Sequence, residues 1–147
     1  MFGPGTLDES MKRRSIYFTI KRSRLIPSLR LFDGPDALQS IGQRQTTTVA
    51  PQALMLMNNP NARSYAMALA QRVAPTEQTS RAEAIRAAYL LAISRPPAAS
   101  ELAESLAFLA QQSASYKANG QDKEASILAL ADFCQVLIST NEFVYVD

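Results

Sequence analysis

Residues 59–93 read NPNARSYAMALAQRVAPTEQTSRAEAIRAAYLLAI, and this stretch decides the fold class. Asn59 followed by Pro60 is a helix start, because an Asx side chain caps the first turn and proline suits the first helical position. Ser80 and Glu83 have the spacing of a capping box, which marks a second start. After each start, apolar residues recur every three or four positions, so the pattern predicts helices over 60–73 and 81–93.

The same periodicity extends along the rest of the chain. It predicts a short helix over 52–57 behind Pro51, and two longer helices over 100–118 and 122–138. We therefore expect a mainly α fold, a small bundle of about four main helices with one N-terminal strand and irregular loops. We interpret residues 1–147 as a single helical domain, with a strand and irregular region over 1–50 and a helical region over 51–147.

The expected strand lies near the N-terminus. Ile16, Phe18 and Ile20 alternate with polar or amphipathic residues, and a period of two is typical of a half-buried strand. A lone strand leaves its backbone groups unpaired. We expect its partner to come from residues 143–146, from another chain or from a segment outside this one.

The composition argues against several kinds of site. The chain has no histidine and a single cysteine, so the commonest general base, the commonest metal ligand and any internal disulfide are missing. Cys134 lies on an apolar helical stripe, which predicts a core residue rather than a nucleophile. We expect no catalytic residue, no metal and no cofactor in this chain. No apolar run is long enough to span a bilayer, and the N-terminus lacks the pattern of a signal peptide.

Charge is distributed unevenly along the chain. The overall formal charge is +2, but residues 1–30 carry +5 and the remainder −3. Arg13 and Arg14, with Tyr17 close by, have the composition of a segment that grips phosphate and stacks bases. Solvated charges that flank a strand explain the same residues, and we favour that reading, so nucleic acid is not the partner we expect.

A second group of polar residues surrounds the short helix behind Pro51. Arg44, Gln52 and Asn58 would either line a site or tie irregular backbone together by hydrogen bonds, and we favour the structural role. Asp33 and Asp36 offer an acid/base pair or ligands for calcium, but their Phe-Asp-Gly-Pro-Asp setting is first a turn. The candidate interaction or structural polar cluster is therefore Arg13, Arg14, Tyr17, Arg44, Gln52 and Asn58.

Short motifs follow one another along the chain in a characteristic order. They are Arg13-Arg14-Ser15-Ile16-Tyr17, Lys21-Arg22-Ser23, Phe32-Asp33 with Pro35-Asp36, Arg44 with Thr47-Thr48-Val49, Pro51-Gln52-Ala53-Leu54, Asn58-Asn59-Pro60, Arg86 with Tyr89, Arg95-Pro96-Pro97, Glu101-Leu102, Ser139 with Asn141-Glu142-Phe143, and Tyr145-Val146-Asp147. This ordered set resembles the C-terminal part of the planctomycete-specific domain of unknown function 1553.

The resemblance implies a setting that composition does not. In that family the domain usually ends large exported proteins, often with a cytochrome c-like haem domain upstream, and no catalytic residue is established. The chain would then be a fragment of a larger domain that lacks its preceding segment. Its localisation is unknown from the chain itself, and the resemblance implies export or the cell envelope.

Three functional hypotheses follow. The first is a non-enzymatic accessory or interaction module at the C-terminus of an exported, cytochrome-linked protein, packing against the missing upstream domain or a protein partner. The second is part of a larger catalytic assembly acting on polysaccharide, with Asp33, Asp36 or Arg44 forming one wall of a site. The third is binding of an anionic polymer or nucleic acid through the basic N-terminal segment.

Overall fold

Helices dominate the part of the chain that the structure describes. The computed structural model describes residues 5–8, 15–19, 21, 26–27, 29, 32, 49–76 and 78–144. By its internal contacts the chain divides into two compact units, residues 1–52 and residues 53–147. The expectation of one domain over 1–147 stays a prediction.

In the first unit, the predicted strand is wrong over the residues described. Ser15–Tyr17 forms a 3-10 helix instead. Phe18 makes only an isolated parallel bridge to Thr6, with the Thr19 amide donating to the Thr6 carbonyl at 2.8 Å. Alternation of side chains favours a strand only where a neighbouring strand supplies a ladder of hydrogen bonds, and isolated bridges do not make a ladder.

The second unit holds the helical sequence. Its helices are α1 (Val49–Asn58, which begins in the first unit), α2 (Pro60–Val73), α3 (Arg81–Ile93), α4 (Ala99–Ala118), α5 (Ala125–Ile138) and the short α6 (Asn141–Val144). The mainly helical fold class is thereby confirmed. Residues 143 and 144, offered above as a strand partner, belong to α6.

The helix starts follow their sequence signals. The Asn59 side chain accepts a hydrogen bond from the Asn61 amide at 2.8 Å, and Pro60 opens α2. Ser80 and Glu83 form the reciprocal capping box at the start of α3, with distances of 3.2 and 3.0 Å. These bonds satisfy amides that have no partner inside the helix, which is why the starts can be predicted from sequence.

The start of α5 differs from its prediction. The expected helix begins at Asp122, whereas α5 begins at Ala125. The chain first reverses at Gly120, which has a φ of +78°, and the Glu124 amide then donates to the Gln121 carbonyl. Residues 122–124 are therefore used by the turn that follows α4, and the helix starts once that turn is complete.

The core is built around α5, which packs against α2 and α4 and, less extensively, against α3. Ile85 and Cys134 are the largest side chains that are fully enclosed. The Tyr89 and Phe133 rings lie near them, 6.3 Å apart at a tilt of 34°. Small residues occupy many of the other buried positions and let the helix backbones approach closely; they are Ala66, Ala70, Ala84, Ala88, Ala129 and Ala131.

Among the described residues, none of the helices combines the length and the apolar character that crossing a bilayer requires.

Candidate interaction surface

A polar network joins α2, α4 and α5 within the second unit. Arg63 on α2 donates to the Asp132 carboxylate on α5 at 2.6 Å, and the Tyr116 hydroxyl at the end of α4 donates to the other carboxylate oxygen at 2.9 Å. The Arg63 and Asp132 side chains are only partly exposed. Burial and the neighbouring Asp132 charge both raise the pKa of Tyr116, so its hydroxyl stays a proton donor.

Gln135 connects this network to the end of α1. Its side-chain oxygen accepts from Arg63 at 3.2 Å, and its amide nitrogen donates to the Leu56 and Met57 carbonyls at 3.2 and 2.9 Å. The last carbonyls of a helix have no partner within the helix, so Gln135 satisfies groups that would otherwise depend on water. The end of α1 is thus held against α5 by a fixed side chain.

Apolar side chains stand exposed where α1 meets α5. Leu54 and Met57 lie one turn apart on α1, each 63% exposed, and Val136, which directly follows Gln135 on α5, is 56% exposed. Because Gln135 binds the Met57 carbonyl, Met57 and Val136 lie in the same region of the surface. We call Leu54, Met57 and Val136 the α1–α5 patch.

A second charged cluster lies where α3 passes into α4. The Arg95 guanidinium makes paired contacts with Glu101 at 2.8 Å and with Glu142 at 2.6 and 2.8 Å. It also lies 5.5 Å from the centre of the Tyr89 ring. Hydrogen bonds from Arg95 lower the pKa of Glu101 to about 2 and also lower that of Glu142. These charges are engaged with one another, and the cluster ties α6 to the α3–α4 connection.

The single thiol is a core residue. Cys134 is fully buried, and this burial raises its pKa to about 12. A thiol with that pKa remains protonated at neutral pH and is a poor nucleophile. Across the described ranges, no group of three or more His, Cys, Asp or Glu side chains is placed to hold a metal ion.

Three residues of the polar cluster predicted from sequence lie in the described part of the chain. Tyr17 lies half-buried in the 3-10 helix, Gln52 on α1 is buried, and Asn58 ends α1 on the surface. The other sites named from sequence lie outside the described residues; they are Arg13, Arg14, Asp33, Asp36 and Arg44. The roles proposed for the cluster stay predictions.

Sequence reasoning missed the network around Asp132. The only local signal was a charged residue inside the apolar stripe of α5. Its partner Arg63 is 69 residues earlier in the chain, so no motif spacing connects the two. Arg95 and Glu101 were noted only as a helix boundary and a first-turn carboxylate, and Glu142 lies 47 residues beyond Arg95.

Comparison with known proteins gives one family. A family model described as protein of unknown function (DUF1553) matches residues 5–109, which covers most of the motifs quoted above. No curated protein and no solved structure matches the chain.

Proposed function

The chain belongs to the DUF1553 family, whose function is unknown, and on its geometry we propose that it is a non-enzymatic interaction module that docks another protein through the α1–α5 patch. The observation that carries this proposal is the exposure of three apolar side chains near one hydrogen bond. Leu54 and Met57 lie one turn apart, Val136 directly follows the Gln135 that binds the Met57 carbonyl, and each is more than half exposed. Apolar residues that are exposed singly are ordinary, whereas a contiguous apolar patch is typical of an interaction site.

Hydrogen bonds beneath the patch hold it in a fixed geometry, which favours binding of a partner. Gln135 holds the Met57 carbonyl, and Arg63 and Asp132 hold Gln135 and the neighbouring helix in turn. A surface already fixed in its binding geometry loses less conformational entropy on association. Asn58, exposed next to Met57, adds a polar group at the edge, as protein interfaces commonly have around an apolar centre.

The partner that this chemistry suits is a folded protein with an apolar surface of its own. The family resemblance supports a finer version, in which the module serves an exported, cytochrome-linked protein of the cell envelope. That version rests on the resemblance alone. Three exposed apolar side chains suit an apolar surface on a protein partner better than they suit an anionic polymer.

The first test uses a hydrophobic dye as a probe of the patch. In the full chain, the double variant Met57→Glu/Val136→Glu should lower bis-ANS binding at least fivefold, because two exposed apolar side chains become charged. Leu91→Glu on α3 is the matched control, since Leu91 is 48% exposed outside the patch, and it should change binding less than twofold. Equal dye binding in the wild type and the double variant would contradict the proposal.

The second test addresses docking directly. A photoreactive amino acid at position 54, in the full-length protein in its host cells, should form one discrete crosslinked product. Val136→Glu in the same chain should abolish that product, because it places a charge in the same interface. A photoreactive residue at position 91, outside the patch, measures the background of nonspecific crosslinking. Crosslinks that survive Val136→Glu would show that the patch is not the docking surface.

A further inference from the structure

A small cleft lies elsewhere in the second unit, between α3, α4 and α5. Its volume is about 40 Å³. The apolar wall consists of Ala74, Ala84, Leu109, Ala129 and Leu130. Four polar residues, Thr79, Arg81, Ser113 and Ser126, also line it. An apolar wall with a few convergent polar groups is the general character of a small-ligand site.

Two buried serines of α4 differ in the hydrogen bonds of their hydroxyl groups, and this difference bears on the cleft. Ser105 is 8% exposed, and its hydroxyl donates to the Glu101 carbonyl one turn back at 2.6 Å. Ser113 is 4% exposed and lies two turns further along the same helix, yet its hydroxyl makes no hydrogen bond within the described residues. No fully enclosed side-chain polar atom of the described residues lacks a partner. The Ser113 hydroxyl is therefore not enclosed by protein but opens into the cleft that it lines.

The electrostatic surroundings of the cleft favour a negative ligand. α3 starts at Arg81 and α5 starts next to Ser126, so the positive ends of two helix dipoles lie near the cleft, against one negative end, that of α2, which ends beside Ala74. No side-chain cap covers the start of α5. Arg81 takes part in none of the salt bridges found among the described residues. The nearby carboxylate of Glu83 is already engaged by the Ser80 amide and hydroxyl.

We propose that this cleft binds a small monocarboxylate of the size of acetate. The Ser113 hydroxyl donates to a carboxylate oxygen, Arg81 at the rim supplies the opposite charge, and the alanine and leucine wall accepts the short alkyl group. A volume of about 40 Å³ has room for only a few non-hydrogen atoms, which matches a carboxylate as small as acetate. The site is separate from the α1–α5 patch and does not depend on the docking proposal.

The test is an NMR titration of the full chain with sodium acetate at constant ionic strength, with sodium chloride as the balancing salt. The backbone amides of Arg81, Ser113 and Ser126 should shift in a saturable manner. Ser113→Ala and Arg81→Gln should each raise the apparent Kd at least tenfold. Ser105→Ala is the matched control, because it removes a buried hydroxyl from the same helix but not from the cleft, and its Kd should stay within twofold of the wild type.

Trimethylacetate controls for size. It carries the same charge with a bulkier alkyl group and should give no saturable shift at these amides. The proposal is overturned if acetate gives no saturable shift, if Ser113→Ala binds as well as the wild type, or if chloride alone produces the same shifts. Binding of trimethylacetate as tight as that of acetate would equally overturn the assignment to this cleft.

Discussion

Among the single residues of the second unit, Asp132 is one whose hydrogen bonds join three helices. A carboxylate on the mostly apolar α5 must be paired, because an unpaired partly buried charge is costly. Arg63 and Tyr116 both supply donors to it, from two different helices. The network therefore fixes how α2 and the end of α4 meet α5, in addition to the apolar packing between them.

The Tyr116 hydroxyl provides a test of this role. Tyr116→Phe removes one donor to a carboxylate, and we expect a loss of about 1–2 kcal/mol in the free energy of unfolding, measured by urea denaturation. The control is Tyr65→Phe, because Tyr65 is 48% exposed, and it should change stability by less than about 0.5 kcal/mol. Equal losses in the two variants would show that the Tyr116 hydrogen bond adds nothing.

At the scale of secondary structure, α6 shows how a very short helix is kept in place. Four residues cannot form a stable helix alone, because nucleation costs more than so few hydrogen bonds return. Glu142 of α6 is gripped by Arg95, which also binds Glu101 at the start of α4. The position of α6 thus depends on ion pairs that titrate with pH.

The contribution of this ion-pair cluster to stability should depend on pH. The pKa of Glu101 is about 2 in the folded chain against an ordinary value of 4.5, and that of Glu142 is also lowered. Carboxylates with a lowered folded pKa stabilise the fold above pH 4.5, and this contribution is lost as the pH falls toward 2. Thermal midpoints measured between pH 5 and pH 2 should therefore fall less in Arg95→Gln than in the wild type.

The control for that profile is Arg72→Gln, which removes an exposed arginine from α2 and should leave the pH dependence of the wild type intact. Identical slopes for Arg95→Gln and the wild type would mean that solvent screens the cluster completely, as it does many exposed ion pairs.

At the scale of the whole molecule, residues 53–147 depend on one core shared by four helices. α5 contributes buried residues along most of its length, and α2, α3 and α4 each add to the same cluster. Ile85 and Cys134 are the largest fully enclosed members. A core shared in this manner predicts cooperative unfolding of these helices, since none of them buries its apolar face without the others.

Truncation of Ile85 tests this cooperativity. Ile85→Ala should cost about 3 kcal/mol in the free energy of unfolding, because it removes buried methyl groups and leaves a cavity. Amide hydrogen exchange should then quicken together in α2, α3, α4 and α5. Leu91→Ala, on the exposed side of α3, is the control and should change little. Faster exchange confined to α3 would contradict a single shared core.

Local sequence was sufficient for the long helices of this protein, but not for the start of α5 or for α6. The starts of α2 and α3 were predicted at Pro60 and Arg81, because caps and prolines satisfy or remove backbone donors within a few residues of the chain. The order of the motifs along the chain was sufficient to identify the family. The strand over 16–20 was wrong in the described residues, because alternation predicts which face is buried but not whether a neighbouring strand exists to pair with.

Only the tertiary structure decided which polar groups meet. Arg63 and Asp132 are 69 residues apart, and their contact exists because α2 packs on α5. Ser105 and Ser113 are both buried on α4, yet one bonds its own helix and the other opens into a cleft. The sequence by itself determined the long helices through interactions within a few residues, whereas the sites arise from packing between distant segments, which no local spacing encodes.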